Sequence, residues 1–305
     1  MTASENSSKV LNMSDESCLA LISKTASHFY PEICRDLSAA FSRVDKRLSF
    51  HYIDDDPEIA QKISRAVDDG CHSFLAVGGD GTVSLVAGHL LGKPHCLGII
   101  PAGTANTLAR VLRIPMNIQG AMRLAAVSHK TRAVDGMEVN GRLCFLNVST
   151  GVSSFAVDNL NPKYKARTGI FSYVIGVAQA THKITACDYE LLIDGHTHSI
   201  RAVEIHVTNT GVLGVPQYHV HESSRIDDGS VEVVALSQWT PQEIADAALD
   251  ITLRRKKRVI RFIGGGREIR ISSNQNLAVQ GDGDIIGRTP VDITVRPRVT
   301  NFIVR

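Results

Sequence analysis

The sequence predicts an α/β domain with a parallel, doubly wound sheet, followed by a mainly antiparallel β-sandwich domain. Three observations support this fold class. Strand-like and helix-like runs alternate over residues 18–131, as in strands joined by crossover helices. Two of the strand-like runs lead directly into a glycine-containing turn and then a helical pattern. From about residue 132, short alternating runs are separated by frequent turn signals, which is typical of a sandwich.

Composition narrows the function classes. The chain has 305 residues, of which 43% are hydrophobic, and its formal net charge of +2 predicts no nucleic-acid partner. Its six cysteines form no CxxC pair, which argues against zinc and disulfides and for a reduced, cytoplasmic protein. No apolar run approaches the ~18 residues that span a bilayer. The polar residues 1–17 are expected to form a flexible tail.

Apolar spacing assigns the elements of the first domain, residues 18–131. It predicts, in chain order, a strand over residues 18–22, a helix over 31–41, a strand over 48–53, a helix from Pro57 that stops at Gly70, strands over 74–77 and 97–100, and a helix over 118–127.

The second domain, residues 132–295, is predicted to consist of short strands and one helix over residues 168–181. The strands are expected over residues 133–139, 143–148, 189–193, 203–207, 231–236, 258–263, 268–271, 278–280 and 291–295. Whether residues 296–305 return to the first domain is left open. Because ligand sites often lie between domains, the functional site is expected in the cleft between the two.

The two glycine turns predict a phosphate-binding site. In the first turn, glycines at Gly78, Gly79 and Gly81 allow a ligand to approach the main chain closely. Their N–H groups precede a helix, whose N-terminus favours negative charge. The second turn repeats the arrangement at Gly103, with donors on the side chains of Thr104 and Asn106. Two cradles at neighbouring strand ends predict a bound nucleotide.

These motifs carry a resemblance that covers about residues 18–305. The chain resembles the catalytic domain of the diacylglycerol kinase and sphingosine kinase family, in its bacterial soluble lipid-kinase branch. The segments that carry it are Gly78-Gly79-Asp80-Gly81-Thr82, Ile100-Pro101-Ala102-Gly103-Thr104-Ala105-Asn106, Val134-Asp135-Gly136, Asp227-Asp228-Gly229 and Asp282-Gly283-Asp284.

The resemblance implies ATP- and Mg²⁺-dependent transfer of the γ-phosphate to a lipid hydroxyl. Such a reaction needs donors on the phosphates, a metal and a carboxylate near the attacking hydroxyl. The first turn, through Gly78, Gly79, Asp80, Gly81 and Thr82, and the second turn, through Gly103, Thr104 and Asn106, are then expected to hold ATP. Asp80, helped by Asp135, is expected to organise Mg²⁺ through water.

Asp282 is the predicted catalytic base. The family pattern at this turn is Asp-Gly-Glu, so Asp284 is one methylene shorter than the usual glutamate and is expected to assist. Taken without the resemblance, an Asp-Gly dipeptide is most often only a hairpin turn. The resemblance also implies a second, structural Mg²⁺ at residues 225–230, held by Arg225, Asp228 and Ser230, although a solvated turn fits that stretch nearly as well.

The chain departs from the family at three places. The usual Asn-Pro-x-x-Gly after the first strand is replaced by residues 23–28, Ser-Lys-Thr-Ala-Ser-His. The Asn-Glu that follows Gly-Asp-Gly-Thr becomes Ser84-Leu85, and the Asn-Asp of the second turn becomes Asn106-Thr107. The lost carboxylates are expected to weaken metal binding, unless Lys24, Ser27 or Thr107 takes over contacts.

A dense basic run is a candidate surface for anionic lipids. Residues 254–258 are Arg254, Arg255, Lys256, Lys257 and Arg258. Near-surface cations of this kind each contribute about 1 kcal/mol at an anionic membrane, although cations also suit the C-terminus of a solvated helix. A peripheral position at a membrane is therefore expected, with a lipid substrate as partner, and homodimer formation is left open.

The sequence is also compatible with two alternatives to a working lipid kinase. A non-catalytic nucleotide- or lipid-binding relative is suggested by the lost acidic residues and opposed by the retained Asp135 and Asp282. An NAD kinase would share the Gly-Gly-Asp-Gly turn, but the second turn continues as in the lipid branch.

Overall fold

The structure, a computed structural model, describes residues 17–53, 58–159, 186–211, 224–236 and 260–305. The predicted tail before Ser17, the predicted helix over residues 168–181 and the basic run 254–258 lie outside these ranges.

The first half of the chain alternates strands and helices, as predicted. Its elements are β1 (Ser17–Ser23), α1 (Lys24–Phe29), α2 (Ile33–Ser42), β2 (Arg47–Ile53), α3 (Ile59–Asp68), β3 (Cys71–Gly78), α4 (Asp80–His89), β4 (Cys96–Pro101), α5 (Thr107–Val111) and α6 (Ile118–Val127).

The second half is built mainly from strands. Its elements are β5 (Thr131–Val139), β6 (Arg142–Cys144), β7 (Asn147–Gly151), α7 (Val152–Asn159), β8 (Cys187–Ile193), β9 (His196–Ala202), β10 (Glu204–Thr208), β11 (Val231–Leu236), β12 (Ile260–Gly266), β13 (Glu268–Ser273), β14 (Ala278–Gly281), β15 (Asp284–Arg288) and β16 (Val291–Ile303).

The first four strands form a parallel sheet in the order β2-β1-β3-β4. The chain reverses direction across the sheet after β2, as in a doubly wound fold. The central strand β3 is buried over residues 74–78, as expected for a parallel strand covered on both faces. The carboxyl ends of β1 and β3 lead into α1 and α4, so the turns at these ends gather at one edge of the sheet.

A second, six-stranded antiparallel sheet has the order β12-β11-β10-β7-β14-β15. Its inner face packs on the antiparallel part of the first sheet, where β13, β8 and β9 extend beyond β16. Ile205, Val207 and Val233 of one layer share a core with Leu191 and Ile271 of the other. The predicted α/β domain followed by a β-sandwich is thus confirmed.

Strand β16 joins the two parts of the first sheet. It pairs in parallel with β4 at residues 301–302 and antiparallel with β5 and β13. Its register with β5 shifts between Arg296 and Thr300, where Arg298 has φ = 51°. The prediction of a strand over residues 291–295 found only the first part of this element, because Pro297 and the shift interrupt the alternation.

Several short elements differ from the predictions. The run over residues 143–148 is divided between β6 and β7, and α1 is an unpredicted helix of six residues. The Ser23 hydroxyl caps α1 by accepting a hydrogen bond from the Ala26 N–H at 3.1 Å. None of the helices in the described part of the chain is long and apolar enough to cross a bilayer.

Candidate active site

A cavity of about 1070 Å³ lies along α4, between the first sheet and the sandwich. Ser23, Lys24 and Thr25 line it at the end of β1, and Gly81 and Thr82 line it at the start of α4. The opposite wall contains the charged side chains of Glu138, Arg142, Asp282 and Asp284. The cavity therefore joins the first glycine turn to the Asp-Gly-Asp turn, as the sequence predicts.

The glycines of the first turn serve different purposes. A Cβ atom on Gly78 would lie 2.4 Å from Thr82 Oγ1, so packing within the turn requires a glycine there. A Cβ on Gly81 would meet nothing within 4 Å, and no positive φ requires glycine at that position. Because neither packing nor backbone conformation explains Gly81, its open space on the cavity wall fits the approach of a ligand to the N-terminus of α4.

The two glycine turns touch each other. A Cβ on Gly103 would lie 2.4 Å from Gly79 Cα, and the Ala102 N–H donates to the Gly78 carbonyl at 3.0 Å. The Asn106 amide is used inside its own turn, since it accepts from the Gly103 N–H at 3.1 Å and donates to the Gly103 carbonyl at 2.6 Å.

The eight predicted nucleotide contacts are therefore not equivalent. Gly81 and Thr82 line the cavity, and Thr104 is exposed at the tip of the second turn. Gly78, Gly79 and Gly103 have packing roles, and Asp80 and Asn106 stabilise neighbouring backbone. Binding of ATP by these residues stays a prediction.

Asp80 begins α4 and connects it to α5. Its two carboxylate oxygens accept hydrogen bonds from the Thr107 N–H at 2.9 Å and the Leu108 N–H at 3.1 Å. Burial raises the pKa of Asp80, the two N–H groups oppose this, and the nearby charge of Asp282 raises it further. Asp80 and Asp282 are thus close enough for their charges to interact, although Asp80 itself does not line the cavity.

Asp282 lies on the cavity wall and accepts four hydrogen bonds. Its Oδ2 atom accepts from the Ser84 hydroxyl at 2.6 Å and the Phe145 N–H at 2.7 Å. Its Oδ1 atom accepts from the N–H groups of Leu146 at 2.9 Å and Asn147 at 3.0 Å. A carboxylate has about four lone-pair sites, so all are occupied. Burial raises the pKa of Asp282, and its predicted role as the base stays a prediction.

Asp284 has different surroundings at the mouth of the same cavity. Its Oδ2 atom accepts from Arg142 Nη2 at 2.6 Å, and both side chains are about half exposed. Arg142 follows the β5–β6 turn, where Asn140 and Gly141 have positive φ. The segment that supplies this arginine also supplies the three N–H groups on Asp282, so residues 142–147 hold both carboxylates of the Asp-Gly-Asp turn.

The departures from the family pattern lie in and around this cavity. Ser84 replaces an amide but still donates to Asp282. Leu85 replaces a carboxylate and lines the cavity with 41% of its surface exposed. Thr107 donates its N–H to Asp80, and Ser27 bonds to the Lys24 carbonyl. Among the three candidates for replacement contacts, Lys24 alone is a lining residue of this cavity.

Asp135 lies inside the protein rather than on the cavity wall. It is fully buried, and its carboxylate accepts from the Gly229 N–H at 2.6 Å and the Arg298 N–H at 2.7 Å. These contacts tie β5 to the 227–229 loop and to β16. They give no support to the predicted help with an active-site Mg²⁺, which stays a prediction.

The loop proposed for a structural Mg²⁺ forms a turn with its own hydrogen bonds. The exposed Asp228 accepts from the Ser230 N–H at 3.0 Å, and Arg225 donates to Asp227 at 3.2 Å. Among the described residues, no group of three His, Cys, Asp or Glu side chains is arranged to hold a metal ion. A second Mg²⁺ at Arg225, Asp228 and Ser230 stays a prediction.

Comparison with known families decides the affiliation. Residues 23–139 match the model of the "Diacylglycerol kinase catalytic domain", and residues 146–304 match that of the "YegS C-terminal NAD kinase beta sandwich-like domain". The chain belongs to the bacterial diacylglycerol kinase-like family of lipid kinases. In this chain, the cavity lies between the half that matches the catalytic domain, which contributes α4, and the half that matches the sandwich domain, which contributes the Asp-Gly-Asp turn.

Individual relatives agree with this affiliation. A diacylglycerol kinase of Staphylococcus aureus is 28% identical over 235 residues, which cover 75% of this chain and 73% of that protein. An uncharacterized Synechocystis protein is 28% identical over 260 residues, covering 80% of this chain but only 58% of the relative. A crystal structure of a Bacillus anthracis diacylglycerol kinase shares the fold, with a TM-score of 0.73, 22% identity and coverage of 95% and 97% of the two chains.

Sequence reasoning about this family member missed part of the site. Arg142 was not identified, and neither were the N–H groups of Phe145, Leu146 and Asn147. The main-chain donors have no sequence signature, since any residue other than proline supplies an N–H. For Arg142, the Asn140-Gly141 dipeptide was an available signal, because it predicts a tight hairpin that fixes the direction of the next side chain.

Proposed function

We propose that the protein is an ATP- and Mg²⁺-dependent lipid kinase that transfers the γ-phosphate to a lipid hydroxyl at a membrane surface. One observation carries the proposal. The open N-terminus of α4 at Gly81 and the two carboxylates of the Asp-Gly-Asp turn face a single cavity. Phosphoryl transfer needs this combination of phosphate donors and a carboxylate near the acceptor.

The nucleotide is proposed to bind at the end of the cavity formed by the strand termini. The N–H groups at the start of α4, a helix of ten residues, are suited to phosphate oxygens. Lys24 on the cavity wall adds a positive charge where the family uses a different turn. Thr104, exposed on the second turn, is available from the same edge of the sheet.

The carboxylates present fit a magnesium ion. Asp80 and Asp282 repel each other, and among the described residues neither forms an ion pair with Lys or Arg. A bound cation would relieve this repulsion, and Mg²⁺ prefers oxygen ligands while keeping several waters. Asp80 would hold it through water, since its oxygens each accept only one of the main-chain hydrogen bonds. When bound, the ion would supply charge neutralisation on the phosphates.

Asp284 is the better-supported group for receiving the proton of the lipid hydroxyl. It is about half exposed at the cavity, whereas the four lone-pair sites of Asp282 are occupied. Arg142 donates a charge-assisted hydrogen bond to Asp284 and so fixes the direction of its carboxylate. In this arrangement Asp282 positions the turn, and its negative charge would help to attract the metal ion.

Membrane contact and compartment remain part of the proposal. A lipid acceptor must be reached at an interface, and the basic run at residues 254–258 has the composition for anionic head groups. A cytoplasmic protein that binds the membrane peripherally is consistent with this composition. Association as a homodimer stays open.

A non-catalytic relative is the second candidate. Leu85 favours it, because an apolar side chain occupies the cavity wall where relatives carry a carboxylate. An NAD kinase has less support, since residues 23–139 match the diacylglycerol kinase catalytic domain.

Incubation of the protein with ATP, Mg²⁺ and mixed micelles of single lipids tests the proposal. The lipids are diacylglycerol, monoacylglycerol, phosphatidylglycerol and a sphingoid base, and mass spectrometry identifies a phosphorylated product. We expect one product that disappears with EDTA and in Asp80→Asn. If no lipid gains a phosphate while ATP still binds, the non-catalytic alternative is favoured.

A further inference from the structure

Two exposed leucines lie on the wall of the active-site cavity. Leu85 and Leu91 are 41% and 44% exposed, and they are among the few large apolar side chains that the described part of the chain leaves open to solvent. A leucine at the first of these positions is a departure from the family pattern. Both line the same cavity, so their exposed apolar surface faces one space rather than being scattered over the protein.

A groove runs between these leucines along α4. Gly81, Leu85 and Gly88 are spaced by four and three residues, which puts them on one face of the helix. A Cβ on Gly88 would meet nothing within 4 Å, so the helix surface is open there. Leu143 and Gly141 of the β5–β6 hairpin line the opposite wall. We call the part of the cavity lined by Leu85, Gly88, His89, Leu91, Gly141 and Leu143 the α4 groove.

The groove begins beside the reacting groups. Ser84, which donates to Asp282, directly precedes Leu85. Gly88 lies four residues after Ser84, which is about 6 Å along the helix axis. The groove therefore leads from the Asp-Gly-Asp turn along α4.

The polar groups near the groove are compatible with hydrocarbon. Burial lowers the pKa of His89, which favours its neutral form. Glu138 also lines the cavity, but its carboxylate accepts from Arg296 Nε at 2.6 Å, so its charge is paired. Arg142 is likewise paired with Asp284.

We propose that the α4 groove binds the hydrocarbon chain of the acceptor, so that a lipid whose hydroxyl is close to an acyl chain, such as diacylglycerol, lies with its chain along α4. The proposal rests on the proposed kinase function for the identity of the occupant. The hydroxyl then lies at Asp284, and the chain contacts Leu85, Gly88 and Leu91. On this basis the exchange of a carboxylate for Leu85 adapts the groove to hydrocarbon.

A variant that fills the groove tests this site. Gly88→Phe introduces a ring into open space on a helix, so folding should be retained, and Leu91→Asp places a charge in the same groove. The matched control is Val127→Phe, a ring at a 56% exposed position of α6 outside the cavity. The readout is equilibrium binding of a diacylglycerol with one fluorescent parinaroyl chain in detergent micelles, with ATP binding measured in parallel.

We expect both groove variants to weaken binding of the fluorescent diacylglycerol by about tenfold, as when about two methylenes leave an apolar site. ATP binding and the control variant should match the wild type. Unchanged probe affinity in a folded Gly88→Phe or Leu91→Asp, or no probe binding by the wild type, would overturn the proposal. Probe binding without phosphate transfer would contradict the kinase assignment but support the groove. Phosphate transfer by groove variants whose probe affinity equals that of the wild type would support the kinase assignment but contradict the groove.

Discussion

Asp282 and Asp284 carry the same functional group two residues apart, but their surroundings differ. Asp282 accepts hydrogen bonds from Ser84 and from three consecutive main-chain N–H groups, while Asp284 meets Arg142 near solvent. A carboxylate with every lone pair occupied stabilises the loop that donates to it. A half-exposed carboxylate at the cavity is accessible to a substrate hydroxyl.

Asp282→Asn should therefore lower stability as well as activity. An amide nitrogen cannot accept a hydrogen bond, so the Phe145 N–H and the Ser84 hydroxyl lose their acceptor. An unsatisfied buried donor costs about 1–3 kcal/mol, which urea unfolding of the variant would measure. Stability equal to that of the wild type would show that the four hydrogen bonds are not formed in solution.

The raised pKa values of Asp80 and Asp282 predict how stability depends on pH without metal. Burial raises both values, so the native state holds protons that the unfolded chain has already lost. Stability in EDTA should then fall as the pH rises above about 4, the ordinary aspartate range. Mg²⁺ should reduce this fall because it favours the ionised carboxylates.

Denaturant unfolding across that pH range, compared with Asp80→Asn, isolates the effect. The variant should show a shallower fall in EDTA and a smaller response to Mg²⁺. A wild type whose stability relative to Asp80→Asn rises with pH in EDTA would contradict the assigned direction of the pKa shifts.

At the scale of elements, the two glycine turns use some glycines to pack against each other and one, Gly81, to leave open space for a ligand. Gly103 touches the backbone of Gly79, whereas Gly81 faces open space at the start of α4. Gly103→Ala should cost about 1–3 kcal/mol because its methyl group overpacks the contact between the turns. Gly81→Ala should leave stability unchanged or raise it by about 0.5–1 kcal/mol, since alanine favours the helix.

Thermal unfolding of the two variants checks this contrast, and ATP affinity separates packing from binding. Gly81→Ala should bind ATP more weakly at undiminished stability. Equal melting temperatures for the two variants would mean that the turns are not in contact.

The regular elements were the most predictable part of the fold. The helix over residues 118–127 and the strand over residues 231–236 have the predicted bounds, because their apolar spacing is undisturbed. Six-residue α1 was missed because one helical turn and a half leave too little periodicity. The extension of β16 past Pro297 was missed because its pairing with β4 is a long-range contact.

The site was predicted in outline only. Motifs indicated Asp80, Gly81 and Asp282, of which Gly81 and Asp282 line the cavity, while Asp80 lies partly buried near Asp282. The division of work between Asp282 and Asp284 was not predictable, because the donors to Asp282 are main-chain groups more than 130 residues away. The roles of Arg142 and Gly88 depend on residues that are distant in sequence and face them across the cavity, so no local pattern indicates them.

At the scale of the whole molecule, β16 couples the parallel sheet to the sandwich. Its last buried aromatic residue, Phe302, packs edge-to-face on Phe145, the residue that begins the Asp282-binding loop. Phe302→Ala should cost about 3–5 kcal/mol. Calorimetry should show the main transition at a lower temperature, and loss of ligand binding should follow it. Independent melting of the two halves at an unchanged temperature would contradict this coupling.

The proposed activity requires phosphate transfer at this cavity, with Asp284 as the acceptor of the hydroxyl proton. The most direct measurement is the rate at which radiolabelled γ-phosphate enters diacylglycerol in mixed micelles with Mg²⁺, for the wild type, Asp284→Asn and Asp292→Asn. Asp292 forms a similar exposed pair with Arg270 at 3.0 Å but does not line the cavity. Each substitution should change stability by less than about 1 kcal/mol. We predict labelled lipid from the wild type and from Asp292→Asn, and a loss of about 10²-fold or more in Asp284→Asn; an unlabelled lipid, or equal rates in all three proteins, would contradict the account.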